Sequence, residues 1–198
     1  MDAEIKPFPR IADAISEGDC LRVDSLLNEF PEMLKLQVPS FGSWLHYAAA
    51  HGNLEIVKHL ISLGFDLNAR DKRGEQTPLN KAAVNGNVEI AKYLLSQGAT
   101  LDTSSSVVNP LFSAIVGRSP EIASLLLDAG IDTEVRYSFG TEPAEQMDAV
   151  AFAMMRGERE IAHMIALRNS HGDEAAAQAA MAEGRRIARA VTTPAQED

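Results

Sequence analysis

The chain has 198 residues, of which 45% are hydrophobic and 23% are charged. These fractions are ordinary for soluble globular proteins, and they exclude collagen-like and disordered classes. The formal net charge is −10, from 18 Lys and Arg against 28 Asp and Glu. Because binding to a phosphate backbone depends on clustered cations, nucleic acid is not an expected partner.

Membrane insertion and secretion are not expected either. The longest uninterrupted apolar run covers residues 149–155, whereas a bilayer span needs about 20 residues. The first ten residues carry acids and prolines where a secretory signal has a basic start and an apolar stretch. The single cysteine, Cys20, cannot form an internal disulfide and has no nearby ligand cluster. We therefore expect a cytoplasmic protein with no metal site.

An internal repeat organises the chain. Residues 43–57 match residues 77–91 without a gap, so that Gly52 and Gly86 lie 34 residues apart. Weaker copies are centred on Gly18, Arg118 and Gly157. A period of this length is typical of helical repeat architectures.

Each copy predicts two short helices. Pro78 and Pro110 fall in the first turn of a first helix, where the missing N–H is harmless. Leu60 and Leu94 belong to the apolar faces of second helices. The second helices have N-cap candidates in register, with Glu158 the poorest: Asp19, Asn53, Asn87, Ser119 and Glu158. They end at residues that tolerate a left-handed conformation: Gly64, Gly98, Gly130 and Asn169.

These residues resemble ankyrin repeats. Thr77-Pro78-Leu79-Asn80, Ala82-Ala83, Gly86-Asn87 and Leu94-Leu95 follow the family motif of Thr-Pro-Leu-His, Ala-Ala, Gly-Asn and Leu-Leu. The match is best in residues 38–102 and weaker in residues 103–169. The resemblance implies an all-α solenoid of about five helix-turn-helix repeats with short finger turns. It also implies that the imidazole of His46 hydrogen-bonds to the adjacent turn.

The expected domain organisation is a repeat stack over residues 1–169 followed by a cap. The repeats are placed near residues 8–37, 38–69, 70–102, 103–134 and 135–169. Residues 170–191 are rich in Ala and predict a C-terminal capping helix with Gly184 as its weak point. Residues 192–198 are expected to be a disordered tail, and residues 6–9 a short extended lead-in.

The resemblance also implies a concave recognition face built from the first helices and the finger turns. The candidate partner-binding residues of the first helices are Tyr47, His51, Lys81, Asn85, Val116, Phe152, Met155 and Arg156. For Val116 and Phe152, packing between repeats is an equal alternative. Tyr47 and Met155 are favoured as contacts, since such side chains anchor interfaces.

Two finger turns depart from the usual length. Residues 70–76 have one extra residue and three cations, including the candidate contacts Lys72 and Arg73. Residues 132–147 are longer by about six residues and lie in an acidic stretch with the candidates Glu134 and Glu142. The stretch is either a solvated loop or a docking patch for a basic protein partner.

The expected function is a non-enzymatic protein-binding module without a cofactor. The sequence has no phosphate-binding glycine loop, dinucleotide glycine motif, His-Glu-x-x-His or nucleophile elbow. The alternatives are an immunity protein or inhibitor that neutralises a toxin or enzyme, and an enzyme with an unrecognised site in the last repeat. The chain is expected to be a monomer, with self-association through the terminal helix as a further alternative.

Overall fold

The computed structural model describes residues 7–36, 42–138 and 146–192. The chain divides into two compact units, unit 1 over residues 1–100 and unit 2 over residues 101–198. The described part of unit 1 contains six α-helices and a 3₁₀ helix: α1 (Pro7–Glu17), α2 (Cys20–Glu29), the 3₁₀ helix (Pro31–Lys35), α3 (Trp44–His51), α4 (Leu54–Ser62), α5 (Pro78–Val84) and α6 (Val88–Ser96). The described part of unit 2 contains α7 (Pro110–Val116), α8 (Pro120–Asp128), β1 (Tyr137–Ser138), β2 (Gln146–Met147), α9 (Ala149–Arg156), α10 (Arg159–Asn169) and α11 (Glu174–Thr192).

Unit 1 is a stack of antiparallel helix pairs. Helices α1 and α2, α3 and α4, and α5 and α6 pack within their pairs, and α3 packs against α5 of the next pair. The predicted core residues Leu60 and Leu94 are fully buried, which confirms the predicted apolar faces. Trp44 is 2% exposed and stacks on Phe8, with ring centroids 5.1 Å apart.

The predicted N-caps of the second helices are confirmed at three positions. Asp19, Asn53 and Ser119 each accept a hydrogen bond from the backbone N–H three residues later. Asn87 also stands at the predicted N-cap position, that of α6, but its side chain makes no capping bond. Its Nδ2 instead donates to the carbonyl oxygens of Ala49 and Ala50, at 2.7 and 3.0 Å. Asn87 therefore satisfies free carbonyls at the end of the neighbouring helix α3.

The predicted helix ends are confirmed at Gly64, Gly98 and Gly130, which all have positive φ. The prediction is wrong for Asn169, which is the last residue of α10. The left-handed residues follow it at His171 and Gly172, because the helix continues two residues beyond the expected point. The extended lead-in predicted for residues 6–9 is also wrong, since α1 begins at Pro7.

One repeat anchor carries a strained backbone. Four anchors are glycines in the left-handed region, Gly18, Gly52, Gly86 and Gly157, with φ between 69° and 86°. Arg118 occupies the same place in unit 2 with a φ of 55°. A side chain with a Cβ pays a steric cost in this conformation. The Arg118 guanidinium forms an ion pair with Glu158 at 3.1 Å.

Helix α11 closes the end of unit 2 by packing on α9 and α10. Its buried face consists of small residues and one methionine: Ala177, Met181, Gly184 and Ala188. A Cβ added at Gly184 would lie 3.2 Å from the backbone N and Cα of Ala151. Gly184 is therefore the point where α11 approaches α9 most closely.

The division of the chain into five repeats with a C-terminal cap stays a prediction.

Candidate functional site: a groove between two first helices

A groove of about 430 Å³ runs along α3 and α5 in unit 1. Its lining comes from both helices and from the turn that connects α4 to α5: His46, Ala50, His51, Gln76, Lys81, Val84 and Asn85. Three of the predicted contact residues, His51, Lys81 and Asn85, are thus brought together in one groove. We call this feature the groove.

His46 forms a rigid part of the groove wall. The Ser43 backbone N–H donates to His46 Nδ1 at 3.1 Å, so Nδ1 is the unprotonated ring nitrogen. The other nitrogen, Nε2, then donates to the carbonyl of Gln76 at 3.0 Å. Burial lowers the pKa of His46 from its ordinary value of 6.5, so the ring is neutral at pH 7. The hydrogen bond to the adjacent turn that the family resemblance implied is confirmed.

The turn beside the groove, residues 70–76, is held by a buried ion pair; we call this turn the fingertip. Lys81 Nζ lies 2.7 Å from Asp71 Oδ2, and the Asp71 side chain is only 2% exposed. Burial opposes ionisation of Asp71, but the hydrogen bonds from Lys81 and from the backbone N–H groups of Gly74 and Arg73 outweigh it and lower its pKa. The fingertip therefore carries a buried carboxylate that is fully hydrogen-bonded.

The backbone of the fingertip is hydrogen-bonded to Asp71 as well. Asp71 Oδ1 accepts from the N–H of Gly74 at 2.8 Å and of Arg73 at 3.1 Å. The Asp71 N–H donates to the carbonyl of Gln76 at 2.9 Å, and Lys81 Nζ donates to Gln76 Oε1 at 2.9 Å. These bonds connect the fingertip to α5 and fix its conformation.

The predicted contact residues of unit 1 have different surroundings. Tyr47 is half-buried, and its ring stacks on that of His51 with centroids 3.9 Å apart. His51, Asn85, Lys72 and Arg73 are exposed. The Lys81 ammonium is committed to Asp71 and Gln76 within the protein, so Lys81 positions the fingertip and is not a free surface cation.

The predicted contact residues of unit 2 divide between surface and interior. Val116 is 40% exposed, Met155 is half-buried and Arg156 is exposed. Phe152 is only 7% exposed, and its ring stacks on Phe112 at 4.6 Å. Phe152 therefore packs in the interior of unit 2, as the alternative of packing between repeats describes, and it is not part of the proposed binding surface.

The long finger of unit 2, residues 132–147, is anchored at its base. Tyr137 Oη donates to the carbonyl of Thr103 at 2.6 Å and accepts from Asn109 Nδ2 at 3.0 Å. Tyr137 pairs in antiparallel register with Met147, which is fully buried. Burial raises the pKa of Tyr137. Neutral groups thus hold the base of the long finger.

The acidic stretch around the long finger is partly neutralised by arginines. Asp148 lies 3.6 Å from Arg136, and Asp128 lies 3.7 Å from Arg168. Glu134 is exposed, whereas Glu142 lies outside the described residues. The expectation of a basic partner stays a prediction.

Sequence reasoning missed the residues that hold the two fingers. Asp71 and Gln76 lie in a turn in which the sequence drew attention only to the cations. Asn109 and Tyr137 are 28 residues apart, so their contact is not visible as a local pattern. The one available signal was the N-cap position of Asn109 before Pro110, where its Oδ1 accepts from the Leu111 N–H at 2.9 Å.

Two other kinds of site are absent from the part of the chain that the structure describes. Within residues 7–36, 42–138 and 146–192, no three His, Cys, Asp or Glu side chains come together as metal ligands. No described helix combines the length and apolar character needed to cross a bilayer.

Paired helices, left-handed anchor residues and finger turns define a helical repeat protein. Residues 45–137 match the family model of ankyrin repeats in three copies. The chain contains ankyrin repeats over residues 45–137 and has the expected all-α fold. Ankyrin repeats are generally non-catalytic modules for protein–protein interaction.

Curated relatives match short parts of the chain. It is 38% identical over 69 residues to the E3 ubiquitin-protein ligase XBAT32 of Arabidopsis thaliana, covering 33% of this chain and 13% of that protein. It is 41% identical over 63 residues to the Target of rapamycin complex 2 subunit AVO2 of Saccharomyces cerevisiae, covering 31% of this chain and 15% of that protein. The chain therefore spans less than a fifth of the length of these relatives.

Proposed function

We propose that this protein is a non-enzymatic module that binds a protein partner through the groove in unit 1. The observation that carries the proposal is the groove itself, which brings the exposed side chains of His51 and Asn85 beside a turn of fixed conformation. Such a surface offers hydrogen-bond donors and acceptors at a low entropic cost, because little ordering is needed on binding.

The groove suits an extended segment of a partner better than a small substrate. Two of its three titratable residues, His46 and Lys81, are already used by bonds to Gln76 and Asp71, and the third, His51, bonds through Nδ1 to the Tyr47 carbonyl. General acid–base chemistry needs a group within reach of a substrate proton, and neither His46 nor Lys81 is free for that role. This observation supports binding over catalysis.

The experiment compares two double variants with a partner isolated from the source cells. Ala50→Gln with Val84→Gln places bulk in the groove, and Ser62→Gln with Ser96→Gln places the same side chains at the ends of α4 and α6. We expect the groove variant to weaken binding at least about tenfold, since the few residues that dominate binding energy cluster at the centre of an interface. The control should bind as the natural protein does.

The outcome that contradicts the proposal is equal binding by both variants. Folding is monitored independently by the fluorescence of Trp44, the single tryptophan of the chain. Turnover of a substrate that is lost on a single polar replacement would instead support the enzyme alternative.

The long finger of unit 2 is proposed as a second contact, with Glu134 and Glu142 meeting basic groups. Val116, Met155 and Arg156 are proposed contacts on the same unit. The inhibitor or immunity role remains an alternative, and rescue of cells from a toxin by co-expression of this chain would support it. We also propose that the protein is a cytoplasmic monomer with five repeats and that it does not bind nucleic acid.

A further inference from the structure

The fingertip presents two adjacent cations on a fixed backbone. Lys72 and Arg73 are both exposed. The preceding residue, Asp71, is buried, and its carboxylate accepts hydrogen bonds from the Arg73 and Gly74 N–H groups. Glu75 has a φ of 56°, and its N–H donates to the Asp71 carbonyl at 3.1 Å. The two cations therefore project from a turn that is ordered before any partner arrives.

Four cations in the described part of unit 1 form no ion pair, Lys35, Lys72, Arg73 and Lys92, and of these only Lys72 and Arg73 are adjacent in the chain. Five other cations of the unit form ion pairs within it: Arg10 with Glu29, Arg22 with Glu17, Lys58 with Glu55, Arg70 with Glu75 and Lys81 with Asp71. Lys72 and Arg73 form no ion pair with any residue in the described ranges. In a chain with a net charge of −10, two neighbouring cations without acidic partners are a local reversal of the overall charge.

The fingertip and the groove form one continuous surface. Gln76 belongs to the fingertip and also lines the groove, where Lys81 holds its side chain. The exposed side chains along the groove, His51 and Asn85, carry hydrogen-bonding groups. A segment in the groove would therefore meet these hydrogen-bonding side chains along the groove and two cations at the fingertip.

We propose that the partner segment bound in the groove is acidic and that its carboxylates contact Lys72 and Arg73. This inference rests on the proposed function and specifies its ligand. Opposite charges across an interface orient the partner and raise the association rate. The acidic surface elsewhere on the chain would repel the same segment, so the fingertip also sets its direction.

The test uses the full chain and a fluorescein-labelled peptide of alternating Glu and Gly as the probe. The fingertip variant is Lys72→Gln with Arg73→Gln. The matched control is Lys35→Gln with Lys92→Gln, which removes two exposed cations elsewhere in unit 1 and changes the net charge equally. A peptide of alternating Gln and Gly and a single-stranded oligonucleotide are the comparison ligands, and fluorescence anisotropy measures Kd.

We expect the Glu peptide to bind and the fingertip variant to weaken it about five- to tenfold, as two exposed ion pairs allow. The control should change Kd less than about twofold, and added salt should weaken binding to the natural protein. Absence of binding by the Glu peptide, equal binding of the Gln peptide or equal effects of the two variants would overturn the inference. Equal binding of the oligonucleotide would overturn it as well.

The two proposals fail separately. If the Glu peptide does not bind but the isolated partner is lost in the Ala50→Gln, Val84→Gln variant, the acidic ligand is wrong and the groove stands. If the partner is indifferent to that variant, the proposed function fails whatever the peptide does.

Discussion

The fingers of the two units are held by different chemistry. In unit 1 the fingertip is fixed by buried titratable groups, the Asp71–Lys81 ion pair and the neutral His46. In unit 2 the long finger is anchored by neutral groups, the hydroxyl of Tyr137 with Asn109 and the Thr103 carbonyl. The fingertip therefore depends on groups that titrate in acid, whereas the hydrogen bonds of Tyr137 do not.

The largest expected effect comes from breaking the buried ion pair of unit 1. Lys81→Met leaves the Asp71 carboxylate buried without a cation, and we expect it to lower the free energy of unfolding by about 3 kcal/mol. Urea denaturation followed by Trp44 fluorescence measures the change. Adding Asp71→Asn should recover much of the loss, because the unpaired charge is removed.

Lys92→Met, on the exposed side of α6, is the control for Lys81→Met and should change the free energy by less than about 0.5 kcal/mol. A loss below about 1 kcal/mol in Lys81→Met, with no gain from the second substitution, would show that the ion pair does not hold the fingertip.

The anchor of the long finger should contribute less. Tyr137→Phe removes the hydrogen bonds to Thr103 and from Asn109, and we expect a loss of about 1 to 2 kcal/mol. Urea denaturation followed by far-UV circular dichroism measures it. Tyr93→Phe is the control, because its hydroxyl bonds to no residue in the described part of the chain. Equal effects of both substitutions would contradict the anchoring role.

Acid should separate the two kinds of support. The pKa of His46 is lowered in the folded chain, so the unfolded chain binds a proton first as the pH falls below 6.5. Stability should therefore decrease by up to about 1.4 kcal/mol per pH unit in this range. The lowered pKa of Asp71 adds a second loss below its ordinary value of 3.8.

His46→Asn tests the first of these losses. Asn80 already fills the matching position of α5, where its Oδ1 accepts from the Thr77 N–H at 3.0 Å, so Asn can keep the cap without titrating. The pH dependence between 6.5 and 5 should flatten in the variant, whatever its baseline stability. An unchanged slope would assign the acid sensitivity to other groups.

The smallest effect is expected at the strained anchor of unit 2. Arg118→Gly should raise the free energy of unfolding by about 1 kcal/mol, because relief of the left-handed strain exceeds the loss of an exposed ion pair. Arg118→Ala, which removes the ion pair and keeps the strain, should give no gain. If both variants are equally stable, the backbone at this anchor is not strained.

The sequence predicted the features that depend on local geometry. Caps such as Asp19, glycine helix ends and the buried faces of Leu60 and Leu94 follow from spacing along one helix pair. The N-cap pattern is local, so the sequence predicted a bond from the Asn87 side chain to its own helix, α6. The side-chain amide instead donates to carbonyls of α3 in the neighbouring helix pair. The site depends on the same kind of contact, since Lys81 meets Asp71 only when α5 packs beside the fingertip.

Gly184 and Phe152 illustrate the same limit. Glycine is unfavourable inside a helix, so the sequence alone gives no structural reason for Gly184. The structure explains it, because a side chain at this position would lie too close to the backbone of Ala151. Phe152 lies at a position where the family places contacts, but it is buried and stacks on the ring of Phe112, a contact between helices that the sequence pattern does not show.

The most direct test of the central claim is hydrogen–deuterium exchange of the chain with and without its isolated partner. We expect protection on binding to be concentrated in residues 70–76 and in α3 and α5, and to disappear in the Ala50→Gln, Val84→Gln variant. Protection confined to residues 101–192, or none at all in unit 1, would contradict the claim that the groove is the binding site.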